Sequence, residues 1–155
     1  MKNGTSFKKN WTSRSATHLD SDHITRHRYF RNSENETDIS CYSSWVALAL
    51  QSSKYFGVLA EVNGEVVGGA GLVVLEWGPT RGDLSPFRGR IVNVFVDKNW
   101  RGLGIAHSLV SQVIDISEKK HIKTLTLAAT NDSKNLYQKL GFIPYEHEML
   151  RKSLP

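Results

Sequence analysis

Arg101, Gly102, Gly104 and Ala106 fall where an apolar, β-branched run, Ile91 to Val96, gives way to the amphipathic stretch Ile105 to Lys120. A strand, a glycine turn and a helix start in direct succession point main-chain N–H groups outward at the positive end of a helix dipole. Gly102 and Gly104 lack a Cβ, so a ligand can approach the backbone closely and the chain can adopt positive φ. Such a turn holds phosphate through main-chain donors. The spacing selects among phosphate ligands. Gly-x-Gly-x-x-Gly is not met, because Gly104 is followed by Ile105, Ala106 and His107, and Gly-x4-Gly-Lys-Ser/Thr is not met either.

The elements that must position this turn can be read along the chain. Trp11 to Ser15 reads as a short strand, and Asp20 or Ser21 as the cap of a helix to about Phe30. Residues 31 to 39 read as a polar loop, with a second helix from Ser40 to about Ser52. Tyr55 to Val62 and Glu65 to Leu75 flank Asn63-Gly64, a strong hairpin signal because both residues tolerate positive φ. Gly68, Gly69 and Gly71 inside the second run predict a bulge or a close approach by another group. Residues 76 to 88 read as a long aromatic loop that belongs to a substrate pocket. Strand 91–96, helix 104–119, strand 122–129, helix 133–140 and a last strand 142–150 complete the chain. The order predicts an α+β domain of three layers, with 91–96 and 122–129 parallel.

Two signatures in sequence order narrow the reading. Arg101-x-x-Gly104-x-Ala106 resembles the coenzyme A pyrophosphate loop of the GNAT acetyltransferases, whose pattern is Gln/Arg-x-x-Gly-x-Gly/Ala. Downstream, Leu136-Tyr-Gln-Lys-Leu-Gly-Phe142 matches that family's helix signature Leu-Tyr-x-Lys-x-Gly-Phe residue for residue. Thr12 to Thr17 with Asp20 and Asp22 resemble the family's opening strand and helix, and Glu148-Met149 its closing strand, so the resemblance spans about residues 11 to 150. It implies an α/β/α fold on a mixed, mostly antiparallel sheet of 6–7 strands, in which a central parallel pair, about 91–96 and 122–129, splays apart to admit the pantetheine arm.

Acetyl transfer to an amine requires a polarised thioester carbonyl, a neutral amine and a proton for the departing thiolate. The resemblance assigns the main chain of Val94, Phe95 and Val96 to the pantetheine, with one of those amides on the thioester oxygen. It assigns the amides of Gly102, Leu103, Gly104, Ile105, Ala106 and His107 to the pyrophosphate, with Arg101 adding charge and Asn131 and Ser133 extending the cofactor surface. Tyr137 becomes the general acid, a phenol of pKa near 10 serving a thiolate of pKa near 8.5. The general base is not legible. Asn93 is a candidate to orient water or the amine, and Glu76 a loop candidate. Glu146, His147 and Glu148 are candidates from the last strand, and a water relay is the alternative. Two positions depart from the family pattern: Lys98 replaces a frequent Pro, and Thr130 a usual Asn, with Asn131 displaced by one.

The function implied is transfer of acetyl from acetyl-CoA to the primary amine of a small-molecule acceptor, by direct attack in a ternary complex. A peptide or protein acceptor and a non-catalytic coenzyme A-binding module are the alternatives, and the bulky loop argues against an open peptide groove.

Composition bounds the partners. At 155 residues the chain reads as a flexible basic arm, 1–10, and one domain, 11–155, with 39% apolar and 23% charged residues. Residues 1 to 31 carry seven Lys or Arg against two Asp and the rest balances, so the whole net charge of +5 sits in the leading segment. A solvated arm and helix face explain it, and no nucleic-acid partner is expected. The leading residues contain no apolar h-region and no run is long enough to span a bilayer, so a cytoplasmic location is expected, without a membrane partner. The lone Cys41 excludes an internal disulfide and is expected as a small buried hydrophobe. His23 and His27 stand at i, i+4 without a matching third ligand, so both are expected in solvated or capping roles and no metal is expected. A homodimer stays open.

Overall fold

Asn63 and Gly64 turn the chain with φ of 50° and 80°, the pair of positive angles that a two-residue hairpin needs. They join β2 (Tyr55–Val62) to β3 (Glu65–Glu76). In the computed structural model, which describes residues 10–30 and 35–153, these strands are the centre of a five-stranded sheet ordered β1-β2-β3-β4-β5. β1 (Thr12–Ser15) and β4 (Phe87–Val96) flank them antiparallel, and β5 (Leu125–Thr126) joins β4 in parallel.

The helices divide between the two faces. On one, α1 (Ser21–Arg28) and α2 (Glu36–Gln51) cover a core of Ile24, Val46, Ala49, Tyr55 and Leu59. On the other, α3 (Ile105–Lys119) and α4 (Lys134–Lys139) cover Val58, Ala60, Ala70, Leu72 and Ile91. Alternation along β2 feeds the two cores in turn, as period-2 geometry requires. α3 buries Ile105, Leu109, Val110 and Val113 on one stripe, the pattern of an amphipathic helix. Thr17 and Asp20 form a reciprocal capping box on the short 3₁₀ turn before α1. Arg14 then ties β1 to that turn through two contacts of 2.8 Å to Asp20, and it also bonds Glu61.

Several expectations are corrected. Among the described residues the sheet has five strands rather than six or seven. The chain from 122 to 129 pairs with β4 only at Leu125 and Thr126, because beyond them the two backbones diverge. The parallel pair lies at the sheet edge rather than its centre. Residues 142–150 form no strand. β5 offers only two residues of edge to pair with, Pro144 lacks an N–H, and Ile143, Tyr145, Met149 and Leu150 remain exposed. α2 starts at Glu36 rather than Ser40, because the Asn35 side chain accepts from Asp38 N–H at 2.8 Å and caps it. The loop 76–88 shrinks, since Glu76 ends β3 and Phe87 begins β4. Its base is tied together, with the Trp77 and Gly78 amides both donating to the Pro86 carbonyl, and Thr80 and Asp83 exchange main-chain bonds at its tip. The expected arm, residues 1–10, lies outside the described residues except for Asn10.

Candidate active site

β4 is paired to β5 only by Gly89↔Leu125 and Arg90↔Thr126. From Ile91 to Val96 its outer edge pairs with no strand among the described residues, which leaves that main chain open as a slot beyond β5. At its mouth the chain turns through a 3₁₀ segment, Lys98–Trp100, into the glycine loop. Gly102 and Gly104 adopt φ of 77° and 79°, with open space beyond each. Gly104 directly precedes α3 and supplies no side-chain cap. The first intrahelical bond is Ser108 N–H to the Gly104 carbonyl. No described residue accepts from the amides of Gly102 to His107, and residues 101 to 104 are exposed. The structure therefore brings Val94, Phe95 and Val96 together with the loop 101–107 along one continuous edge. Arg101 is held there by its Nε donating to the Val96 carbonyl at 3.0 Å.

A bulge in β4 sets what faces the other layer. The β3–β4 register shifts between Gly69, opposite Phe95, and Gly71, opposite Val92. Asn93 occupies the extra position at φ 57°, a left-handed conformation that Asn tolerates better than most residues. Val92 packs with the α1/α2 core and Asn93 follows it to the same side, so the alternation of every later residue is inverted. Val94 and Val96 now pack on the α3 side, and Phe95 faces α1. Gly68 and Gly71 are explained by the same crowding. A Cβ at 68 would meet the Phe95 carbonyl at 2.7 Å, and one at 71 would overlap the Tyr55 phenol.

The Asn93 amide nitrogen donates to the Tyr42 hydroxyl at 2.7 Å and to the Tyr55 hydroxyl at 3.0 Å. Its Oδ1 receives Arg28 at 3.4 Å, while the Arg28 guanidinium lies over the Tyr42 ring at 4.5 Å. Burial pushes the Tyr55 phenol above its ordinary pKa, so it stays protonated. The sequence reading missed Arg28, Tyr42 and Tyr55. No motif links residues so far apart, and only the glycine run hinted that something large approaches β3. A cavity of about 670 Å³ opens between α1, the hairpin turn and the end of β4, with His27, Phe30, Phe95 and Asp97 in its wall; Arg28, Tyr42, Tyr55 and Asn93 do not line it.

Tyr137 sits in α4, 7% exposed within the α3-side core and edge-on to Phe142. Its hydroxyl bonds no described residue, yet no fully buried side-chain N or O among the described residues lacks a partner. The hydroxyl therefore reaches solvent while the ring is enclosed. Burial pushes its pKa up, which keeps the proton on the phenol.

Other anticipated residues are dispersed. Glu76 is exposed and opposite Phe87, six residues from Asn93 along β4, or roughly 20 Å at strand rise. The structure does not bring it to the cluster. The Ser133 hydroxyl is committed to a turn with Thr130, receiving its N–H at 2.9 Å and donating to its carbonyl at 3.1 Å. Asn131 is exposed beside that turn, and Glu146, His147 and Glu148 lie exposed in the final segment. His27 is not solvated. It is 8% exposed and stacked on Phe95 at 4.7 Å, and burial pushes its pKa down to about 4. Cys41 is exposed rather than buried, because α2 turns its other face to the sheet. No helix among the described residues is long and apolar enough to cross a membrane.

Comparison with known proteins accords with this geometry. The model of the Acetyltransferase (GNAT) family matches residues 17–142. Glucosamine 6-phosphate N-acetyltransferase of Trypanosoma brucei brucei is 34% identical over 86 residues, 56% of this chain and 56% of that protein. The chain thus spans about half the length of the curated relative it matches. Among solved structures, a GCN5-related N-acetyltransferase from Ralstonia eutropha JMP134 superposes with a TM-score of 0.82 at 28% identity, over 93% of this chain and 99% of that one. A predicted acetyltransferase from Clostridium acetobutylicum, solved with acetyl-CoA, shares the fold at a TM-score of 0.85 and 18% identity, over 92% and 96% of the two chains. A family match that runs unbroken from the first capping turn to the end of the tyrosine helix makes this chain a member of the GNAT acetyltransferases.

Proposed function

We propose that the enzyme transfers the acetyl group of acetyl-CoA to the primary amine of a small-molecule acceptor, by direct attack in a ternary complex. The observation that carries this reading is the slot beside β4, whose strand-free main-chain edge runs straight into the uncommitted amides of residues 102–107. These groups fit a pantetheine arm followed by a pyrophosphate. The main chain of Val94, Phe95 and Val96 pairs with the arm as an added strand would, and one of its amides polarises the thioester oxygen. Amides from Gly102 to His107 hold the pyrophosphate, with the Arg101 charge beside them. Asn131 lines the cofactor side, and Ser133 shapes the turn that carries it.

Tyr137 protonates the departing thiolate. Its enclosed ring, outward hydroxyl and raised pKa suit a donor that stays protonated at neutral pH. On the opposite face, Asn93 positions the acceptor side of the site through its two phenol partners. Water relays the ammonium proton outward, since no carboxylate bonds this cluster among the described residues. The cavity of about 670 Å³ that Phe95 shares with α1 has the size of a small-molecule site. An amino sugar phosphate is the first acceptor to try, because the relative at 34% identity bears that substrate in its name.

Calorimetry with acetyl-CoA, then thiol release with glucosamine 6-phosphate, tests the reading. Micromolar binding followed by amine-dependent release supports it. Absence of acetyl-CoA binding at high micromolar concentration refutes it.

A further inference from the structure

Arg28, the last residue of α1, is set apart by the neutral and aromatic groups that hold it rather than by lack of an ion pair, since Lys119 and Lys139, near the ends of α3 and α4, also have no carboxylate within ion-pair distance among the described residues. Arg26, two residues earlier, bonds His23 on the same helix. Arg14 is neutralised by Asp20 and Glu61. Arg28 has no carboxylate partner among the described residues. Its contacts are Asn93 Oδ1 at 3.4 Å and the faces of Tyr42 and Tyr29 at 4.5 and 5.9 Å.

This combination orients a charge without cancelling it. A guanidinium stacked on a ring directs its N–H donors outward in its own plane. Of five donors, one meets the neutral Asn93 oxygen and the others face no described acceptor. Such a fork is complementary to an oxyanion that accepts two parallel bonds. Its location is the bulge residue itself, one position before the main chain of Val94. Stabilising the C-terminus of α1 would require only a solvated side chain, and would not turn the guanidinium onto α2 and β4.

We infer that Arg28 binds an anionic group on the acceptor, a phosphate ester or a carboxylate, and so makes the enzyme selective for amines that carry one. The inference rests on the acetyl transfer proposed above. Tyr42 and Asn93 hold the guanidinium in the plane in which the anion docks.

Thiol-release kinetics with wild type, Arg28→Gln and Arg28→Lys test it, using glucosamine 6-phosphate against glucosamine and glycine against glycinamide. Thermal unfolding midpoints check that each variant folds. Wild type is expected to favour one anionic amine over its neutral counterpart by about tenfold or more in kcat/KM. Arg28→Gln should collapse that ratio toward one, and Arg28→Lys should keep part of it. A ratio that survives Arg28→Gln, or a wild type without anion preference, overturns the inference. An Arg28-dependent preference for glycine alone upholds it and removes the amino sugar phosphate as acceptor. If no amine is acetylated, the acceptor reading fails and calorimetry with glucose 6-phosphate, which lacks the amine, decides. Binding weakened about tenfold or more by Arg28→Gln upholds the anion site; equal binding, or none, overturns it.

Discussion

The Tyr55 ring lies across the space that a Cβ on Gly71 would fill. The phenol can reach Asn93 only because β3 presents a bare backbone at that point. Gly71→Ala should therefore push the ring aside, break its bond to Asn93 and cost about 1–3 kcal/mol of stability, as overpacking does. Urea unfolding measures the cost, and kcat/KM for the acceptor should fall with it. An alanine variant of wild-type stability would show that the phenol has another place to go.

Gly104 carries the second backbone prediction. At φ 79°, immediately before α3, an alanine is strained by about 1–2 kcal/mol and relieves that strain by rotating the amides that follow. Gly104→Ala should weaken acetyl-CoA binding by about tenfold, read by calorimetry. Unchanged affinity would mean that those amides do not carry the cofactor.

Tyr137→Phe removes the donor and keeps the ring in its core. Turnover should fall by at least about tenfold while the Kd for acetyl-CoA holds, since acid catalysis acts on the leaving group. Because burial raises the phenol's pKa, any alkaline loss of kcat assigned to it should begin above its ordinary value of about 10. Wild-type turnover in the variant would assign the proton to another group.

His27 predicts a pH effect on stability. Its folded pKa of about 4 lies below the ordinary 6.5, so between those values the unfolded chain binds a proton that the folded protein excludes. Stability is complete above about pH 6.5 and is lost as pH falls toward 4, by up to about 3 kcal/mol. Urea titrations from pH 7 to 4.5 measure the slope, and His27→Phe should flatten it. An equal slope in both proteins would put the titration elsewhere.

What was legible in the chain was local. Asn63-Gly64 specifies a hairpin by backbone angles alone, and Leu136 to Phe142 and Arg101 to Ala106 are contiguous signatures, so turn, helix start and tyrosine could all be read. What was missed was made by distance or by absence. His27 looked like a surface histidine of a short polar helix, and it is buried between the Phe95 ring, turned to that side by the bulge, and the bare backbone of Gly69. That inversion comes from the conformation of one residue, Asn93, which an apolar run conceals. The last strand failed because alternating sequence is not sufficient: a strand needs a neighbour, and β5 presents two residues.

Those two rungs have a further consequence. Because Gly89 and Arg90 close the slot at its base, a guest threading in from the glycine loop meets a floor. From Val96 down to Arg90 the depth is about 20 Å at strand rise, fixed by backbone rather than by any movable side chain. Under the acetyl transfer proposed above, the fold would act as a gauge, registering a reactive end against the bulge by the length of the arm that carries it.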